Sequence, residues 1–483
     1  MTQLELDPKQ NFLPPDIKNI HIIGIGGTAM GALAGMLVER GYTVTGSDLA
    51  VYPPMSDFLE HLGIKVTPYA PENLDYRPDV VVVGNVVTRQ NPESPKLKTM
   101  GLPYISFPQA LRGFFLNGKK SFVIAGTHGK TTTSALSAWL LDCQGRDPGF
   151  MIGGILGNYQ RNFNIGRGDW FVLEGDEYDT AFFNKVPKFV HYGPQVGILT
   201  SIQYDHADIY PDFEAVKNAF RQYVDLIPAD GLLVAWGDDP LVRDMAARSA
   251  SPVIYYGLAP HNDWRADHIQ AAGRCTNFDL LRPGADPLTL CSPLPGEHNV
   301  LNTLAVMAAL DWIGYRPETL QPGLDGFRGV RRRQEVRGVE DGVTVLDDFA
   351  HHPEAVRRTT DAIKRAYPDS RLVAVFEPRT NTSRRKCFQK DYARAFDSAD
   401  EIVLRKPEGL EKFEPGERIC ITDLARDLTA RGKAAQAFED VDPILDYLTD
   451  TLSPGDVVLI MSNGGFGNIH ARLLDALRER AAR

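Results

Sequence analysis

Three times along the chain a short apolar run gives way to a glycine-rich or polar tip and then to helical periodicity. The first instance is Ile20-His21-Ile22-Ile23, then Gly24-Ile25-Gly26-Gly27, then a helical pattern from about Thr28 to Arg40. Further strands are predicted near Thr43–Gly46, Lys65–Thr67, Asp79–Gly84 and Tyr104–Ser106, before a turn at Asn117-Gly118-Lys119-Lys120. The second instance opens with Ser121–Ala125 and continues with strands near Trp170–Glu174, Val196–Thr200 and Leu232–Trp236. Residues 252–295, rich in Pro, Gly and short β-prone runs, predict a small irregular or antiparallel addition, and a helix follows from about Asn299 to Ile313. In the third, strands near Val343–Leu346, Leu372–Phe376, Glu401–Leu404 and Asp456–Met461 alternate with helices after Pro353, over about Ser383–Phe396, near 421–431 and 442–451, and from Asn468. Strands alternating with helices imply parallel sheets, so the pattern predicts three α/β domains.

Length agrees: at ~150 residues per domain, 483 residues predict about three domains. Hydrophobic residues at 43% and charged residues at 24% give ordinary globular composition with material for more than one core. Lys and Arg number 52 against 62 acids, a formal charge of -10, which argues against general nucleic-acid binding. No run approaches the ~18 apolar residues of a membrane span. The start, Met-Thr-Gln-Leu-Glu-Leu-Asp, lacks the basic and apolar segments of a secretory signal. The five cysteines are scattered with no C-x-x-C pair, so reduced thiols, mostly core filler, are expected in a cytoplasmic protein.

The sharpest chemical signal is Gly126-Thr127-His128-Gly129-Lys130-Thr131-Thr132, between a predicted strand and a predicted helix. Glycines let backbone amides wrap a phosphate, and a helix N-terminus adds a positive field. Lys130 would reach the β/γ-phosphates and the Thr131 hydroxyl would bind Mg²⁺. Two residues separate the glycines, where the general phosphate-loop pattern has four. The turn Gly24-x-Gly26-Gly27-Thr28-Ala29-Met30-Gly31 suits a pyrophosphate, and Ser47-Asp48 ends the next strand where a ribose-binding acid could sit. That turn fits a dinucleotide or another diphosphate, a nucleotide sugar included; close helix packing alone would also use such glycines.

Acids cluster at Glu174-Gly175-Asp176-Glu177-Tyr178-Asp179, the tip of a predicted parallel strand. One or two of them are expected to hold Mg²⁺, and the rest to be solvated loop charge. Asp205-His206-x-Asp208 falls at the same edge, with His206 a candidate metal ligand. Gly296-Glu297-His298-Asn299 reads as a helix cap or as an adenine contact through Asn299. Arg331-Arg332-Arg333 would serve a transferring phosphoryl group or form a solvated linker. Asp347-Asp348-Phe349-Ala350-His351-His352-Pro353 has no four-ligand spacing for zinc. Arg379, in Glu377-Pro378-Arg379-Thr380-Asn381-Thr382, could clamp a carboxylate; Ser462-Asn463-Gly464-Gly465-Phe466-Gly467 is a glycine loop opening the last helix.

In this order the motifs resemble the Mur ligases, ATP-dependent amide-forming enzymes of peptidoglycan assembly, over nearly the whole chain. The short phosphate loop is that family's version, and Gly24-Ile25-Gly26-Gly27 with Asp347–Pro353 resembles the branches acting on UDP-N-acetylmuramate. Glu177–Phe183, Lys188–Tyr192, Glu377–Thr382 and Met461–Gly467 resemble the peptidoglycan-recycling branch more than the alanine-adding one. The alanine-adding relative usually has Tyr-Gly at Phe349-Ala350 and a Pro-His-Arg run at Glu377-Pro378-Arg379.

The resemblance implies an α/β chain of three domains: a Rossmann-like UDP-sugar domain (1–117), a central P-loop ATPase domain with a small β addition (118–330), and a Rossmann-like acceptor domain (331–483). It implies cytoplasmic ligation of UDP-N-acetylmuramate to the tripeptide L-Ala-γ-D-Glu-meso-diaminopimelate, with ATP and Mg²⁺. The alternative is L-alanine as acceptor. By the same resemblance Lys130, Glu174 and His206 are catalytic, with Thr131, Glu174 and His206 on metal. Gly126, Thr127, His128, Gly129, Lys130, Thr131, Thr132, Asn299, Arg333 and Asp348 would bind ATP. Gly24, Gly26, Gly27, Thr28, Ala29, Met30, Ser47 and Asp48 would bind the UDP-sugar. His351, Arg379, Asn381, Thr382 and Asn463 would face the acceptor. Ser201 departs from the Asn common in the family; Lys217 lies too few residues after His206 to match the carbamylated lysine of some branches and Arg221 stands nearer its place, so no carbamylated lysine is expected. A nicotinamide-dependent dehydrogenase would leave the second phosphate loop unexplained. A non-enzymatic nucleotide sensor would bind the same ligands without releasing ADP.

Overall fold

Four consecutive valines, Val80–Val83, are all buried, as a strand covered on both faces requires. They belong to a five-stranded sheet in the order Val66–Thr67, Thr43–Ser47, Asn19–Ile23, Val80–Val83, Tyr104–Ser106, parallel throughout. The chain reverses its direction of travel across the sheet at Asn19–Ile23. Gly24–Gly27 lead from that strand's carboxyl end into the helix Thr28–Glu39, at the edge where open α/β sheets commonly bind ligands.

The structure, a computed structural model, describes residues 4–52, 55–204 and 209–482. It divides into two compact units, of which the first is Met1–Ile155, Tyr159–Ile202 and Glu214–Ile254. Besides the five-stranded sheet this unit holds the parallel strands Leu232–Trp236, Pro194–Leu199, Lys120–Ala125, Trp170–Gly175 and Gly149–Leu156, in that spatial order. The central strand Lys120–Ala125 runs through Gly126–Gly129 into the helix Lys130–Cys143. Tyr223 of the helix Phe213–Asp225 is buried behind it and donates to the Val123 carbonyl at 2.6 Å.

The second unit is Leu156–Asn158, Gln203–Phe213 and Tyr255–Arg483. The expected small addition is an antiparallel set, Trp264–Ala272, Cys275–Leu281 and Leu288–Ser292, followed by the helix Glu297–Trp312. A six-stranded sheet follows in the order Glu335–Glu340, Val343–Asp348, Val457–Met461, Leu372–Phe376, Glu401–Arg405, Ala434–Phe438, antiparallel at its first edge and parallel elsewhere. Alternation along Leu372–Phe376 sends Leu372, Ala374 and Phe376 into one core and Val373 and Val375 into the other. Among the described residues no helix is long and apolar enough to cross a membrane.

Two sequence expectations need correction. Cys275 and Cys291 form a disulfide, because hairpin pairing sets their strands side by side, and Cys143, Cys387 and Cys420 are free but exposed, not core filler. The helix expected from Ser383 begins as a 3₁₀ turn at Lys386–Phe388 and becomes α-helical only over Gln389–Ala395. Thr380 and Ser383 exchange side-chain-to-backbone hydrogen bonds at 2.9 Å, which compete with helical ones.

Candidate active site

At the tip of Lys120–Ala125 the backbone reaches φ +132° at Gly126 and +81° at Gly129, conformations that side chains disfavour. A Cβ on Gly126 would overlap the Thr200 hydroxyl, so the loop and the strand end beside it are closely fitted. The Ser201 carbonyl accepts from Thr127 N at 2.8 Å, its hydroxyl accepts from His128 N at 3.0 Å, and the Thr200 hydroxyl donates to His128 O at 2.6 Å. Ser201 thus braces this loop.

Lys130 opens the helix, its ammonium donating to Gly126 O at 2.6 Å and to Glu177 Oε2 at 2.9 Å. Burial pulls its pKa down, but Glu177, Asp176 and Glu174 together outweigh burial and raise it above the ordinary lysine value. The buried Thr131 hydroxyl donates to Glu174 Oε1 at 2.9 Å, and Gly153 N donates to Glu174 Oε2 at 2.8 Å. Of the remaining acids, Asp179, paired with the exposed Lys185, keeps the solvated character expected of it, whereas Glu177 does not. Asp176 pairs with Lys188 at 2.6 Å, Asp179 with Lys185 at 2.7 Å, and Glu177 is buried under Lys130. Thr132 follows in the first helical turn. His206 lies outside the described residues.

The first glycine turn is braced differently. Gly24 N and Ile25 N donate to the Ser47 carbonyl at 2.8 and 3.1 Å, and Gly26 N donates to Asp48 Oδ2 at 2.7 Å. Leu49 N holds Asp48 Oδ1 at 2.7 Å. Gly27, Thr28 and Ala29 are exposed at the start of the helix, and Met30 turns into the core. The Ser47 hydroxyl points inward and donates to Glu93 Oε2 at 3.0 Å. Glu93, which no sequence pattern singled out, is fully buried. Burial raises its pKa, but hydrogen bonds from His21, Asn73 and Ser47 prevail and hold it below the usual carboxylate range. Burial first, then Asp48, pushes the Tyr69 phenol up to about 12.

In the second unit, a chain of hydrogen bonds joins Asn299 to Asp348. Asn299 Nδ2 donates to Pro295 O at 2.8 Å and to Gln334 Oε1 at 3.1 Å, while Gln334 N donates to Asp348 Oδ2 at 2.8 Å. Ala350 N holds the other Asp348 oxygen at 2.7 Å. Burial raises the Asp348 pKa despite Arg333 and these two amides. The Arg333 guanidinium lies over the Phe349 ring at 4.8 Å. Burial and then Arg358 push His298 down to about 4, so its ring is neutral at pH 7. Gln334 and His298 had no candidate role in the sequence.

Among the expected acceptor residues, His351 Nδ1 bonds the Phe349 carbonyl at 3.0 Å and Asn381 Oδ1 accepts from Arg384 at 3.0 Å. Thr382 is buried, and Asn463 Oδ1 is a buried oxygen without a hydrogen-bond partner. Arg379 stays half-exposed, 3.9 Å from Glu377.

A glycine loop with a lysine and a hydroxyl after a central strand of a parallel sheet, and a second glycine turn on a sheet of its own, are features of a nucleotide-dependent α/β enzyme. The chain matches the Mur ligase family catalytic domain over residues 19–118, the Mur ligase middle domain over 124–310 and the Mur ligase glutamate ligase domain over 331–464. It is 40% identical to the UDP-N-acetylmuramate–L-alanyl-γ-D-glutamyl-meso-2,6-diaminoheptandioate ligase of Escherichia coli, over 96% of this chain and 99% of that one. A murein peptide ligase structure from Psychrobacter arcticus is similar at 34% identity and TM-score 0.71, covering 95% of this chain and 99% of that one. A UDP-N-acetylmuramate-alanine ligase structure from Thermotoga maritima, at 26% identity, gives TM-score 0.79 over 97% of this chain and all of that one. The chain belongs to the Mur ligase family, three-domain ATP-dependent carbon-nitrogen ligases.

Proposed function

We propose that this protein joins the lactyl carboxylate of UDP-N-acetylmuramate to the α-amine of L-Ala-γ-D-Glu-meso-diaminopimelate in the cytoplasm, as a step of peptidoglycan recycling. The observation that carries this reading is 40% identity over nearly the whole length of the Escherichia coli tripeptide ligase, against 36% to the alanine ligase of Burkholderia cenocepacia. Backbone likeness extends to both branches and does not separate them.

The lactyl carboxylate attacks the γ-phosphorus of ATP, giving an acyl phosphate and ADP. The peptide amine then attacks the acyl carbon, and the tetrahedral intermediate expels phosphate. Positioning and charge neutralisation suffice, without a protein nucleophile. Lys130 brings a fixed positive charge to the β/γ-phosphates, and the amides of Gly126–Gly129 cradle them. Thr131 and Glu174 are hard oxygen donors that meet at 2.9 Å, and they fit Mg²⁺. When bound there, the ion neutralises phosphate charge. Asn299, Arg333 and Asp348 are the ATP contacts that we assign to the second unit. The Gly24–Met30 turn and Asp48 take the UDP moiety, and His351, Arg379, Asn381, Thr382 and Asn463 take the acceptor. We assign the domain boundaries to 117/118 and 330/331.

Phosphate release from ATP, Mg²⁺ and UDP-N-acetylmuramate, with tripeptide or L-alanine in separate reactions, tests the proposal. Release with the tripeptide alone is expected. Release with L-alanine would move the protein to the biosynthetic branch.

A further inference from the structure

Glu377, two residues before Arg379 at the carboxyl end of the strand Leu372–Phe376, is only 1% exposed. Its Oε1 pairs with Arg405, its Oε2 accepts from the Ser462 hydroxyl at 2.6 Å, and Oε2 stands 3.9 Å from Arg379 Nη1. Glu377 follows the strand Leu372–Phe376, Arg405 ends Glu401–Arg405 and Ser462 follows Val457–Met461, so one carboxylate ties three adjacent strand ends together.

The loop after Ser462 is fixed from both sides. Gly464 N donates to Ser462 Oγ at 3.0 Å, and Arg332 donates to the Ser462 and Gly464 carbonyls at 2.6 and 2.7 Å. A Cβ on Gly464 would overlap the Arg379 side chain, so Arg379 is bracketed between that backbone and Glu377. The two arginines around Glu377 differ. Arg405 is buried and also meets Glu408 at 2.6 Å and Asp440 at 3.4 Å, whereas the Arg379 side chain is 46% exposed.

We infer that Glu377 is a positioning residue that holds the Arg379 guanidinium ready for a carboxylate of the acceptor peptide, an inference that rests on the acceptor reading above. An arginine free in solvent must give up rotamer freedom when it binds a carboxylate; one already bracketed has less to lose. The tripeptide carries carboxylates far from its amine, while L-alanine has a single one beside it. A guanidinium held at this edge would meet one of the tripeptide's remote carboxylates, which L-alanine lacks.

The test is steady-state kinetics of the full-length protein with Glu377→Gln, which still accepts from Ser462 but loses the charge. KM for the tripeptide should rise about tenfold, with KM for ATP and for UDP-N-acetylmuramate within about twofold of wild type. Glu377→Asp, which keeps the charge, should recover much of the loss. In an Arg379→Ala background the Glu377→Gln effect should vanish, because one residue acts through the other. Ser462→Ala, which removes the hydrogen bond anchoring the Glu377 oxygen that faces Arg379, gives a milder reading of the same tripeptide KM should Glu377→Gln fold poorly, with a rise of about threefold. An unchanged tripeptide KM in Glu377→Gln or Ser462→Ala, equal changes in all three KM values, or multiplicative effects in the double variant would overturn the inference. If wild-type protein ignored the tripeptide, the acceptor reading itself would fail, a distinct outcome.

Discussion

The two glycine turns of the first unit follow the central strands of two parallel sheets, yet their neighbours equip them for different ligands. The turn at Gly24–Gly27 is braced by a carboxylate, Asp48 on the amide of Gly26. The turn at Gly126–Gly129 is braced by the hydroxyls of Thr200 and Ser201 and by the Ser201 carbonyl, and it carries Lys130, whose pKa the surrounding acids raise. Similar backbone turns thus present an acid in one place and a cation in the other. The cation suits the dense charge of a triphosphate; the acid suits a ligand with hydroxyls beside its diphosphate. The side chain that the adjoining strand or helix contributes, more than the glycines themselves, divides the labour.

The sharpest way to break this comparison is Lys130→Met, which should lower kcat/KM by about a thousandfold or more while leaving binding of UDP-N-acetylmuramate, followed by calorimetry, nearly intact. Asp48→Asn comes next. Asn offers one acceptor oxygen where Asp48 uses two, so KM for UDP-N-acetylmuramate should rise about tenfold and KM for ATP should stay put. A parallel loss for ATP would erase the distinction between the turns. Ser201→Ala removes the hydroxyl acceptor of His128 N and should raise KM for ATP about threefold to tenfold, with the sugar nucleotide unaffected.

The smallest effect extends the comparison to the second unit. His298 is held down to about 4 when folded, against about 6.5 when unfolded. Between those values the unfolded chain binds a proton that the folded chain does not, so stability rises with pH across that window and falls as pH drops through it. Thermal melts of His298→Asn should lose less between pH 7 and pH 5 than wild type. A drop as large as wild type's would assign the acid sensitivity to other groups.

What could be read from sequence was whatever lies close in sequence or repeats with a short period. The strand-turn-helix at Gly126–Thr132 was legible because the loop, lysine and hydroxyl are consecutive, and Val80–Val83 because a buried parallel strand is apolar on both faces. The Glu177 pairing with Lys130, 47 residues apart, comes from strand order, which periodicity does not encode. Glu93 sits between Pro92 and Ser94 with no motif; only folding gathers His21, Ser47 and Asn73 around it. Gln334 stood unnoticed beside three arginines although it links Asn299 to Asp348. The cystine escaped because its two cysteines are 16 residues apart across a hairpin whose register was unknown. The strand Gly149–Leu156 went unread since its glycines break the apolar run.

Competition between acceptors tests the central claim most directly. Protein, ATP, Mg²⁺ and UDP-N-acetylmuramate are incubated with L-alanine and the tripeptide together at equal concentration, and the product mass is measured. The tripeptide adduct of UDP-N-acetylmuramate, formed in large excess, is the predicted result; a product dominated by the alanine adduct would contradict it.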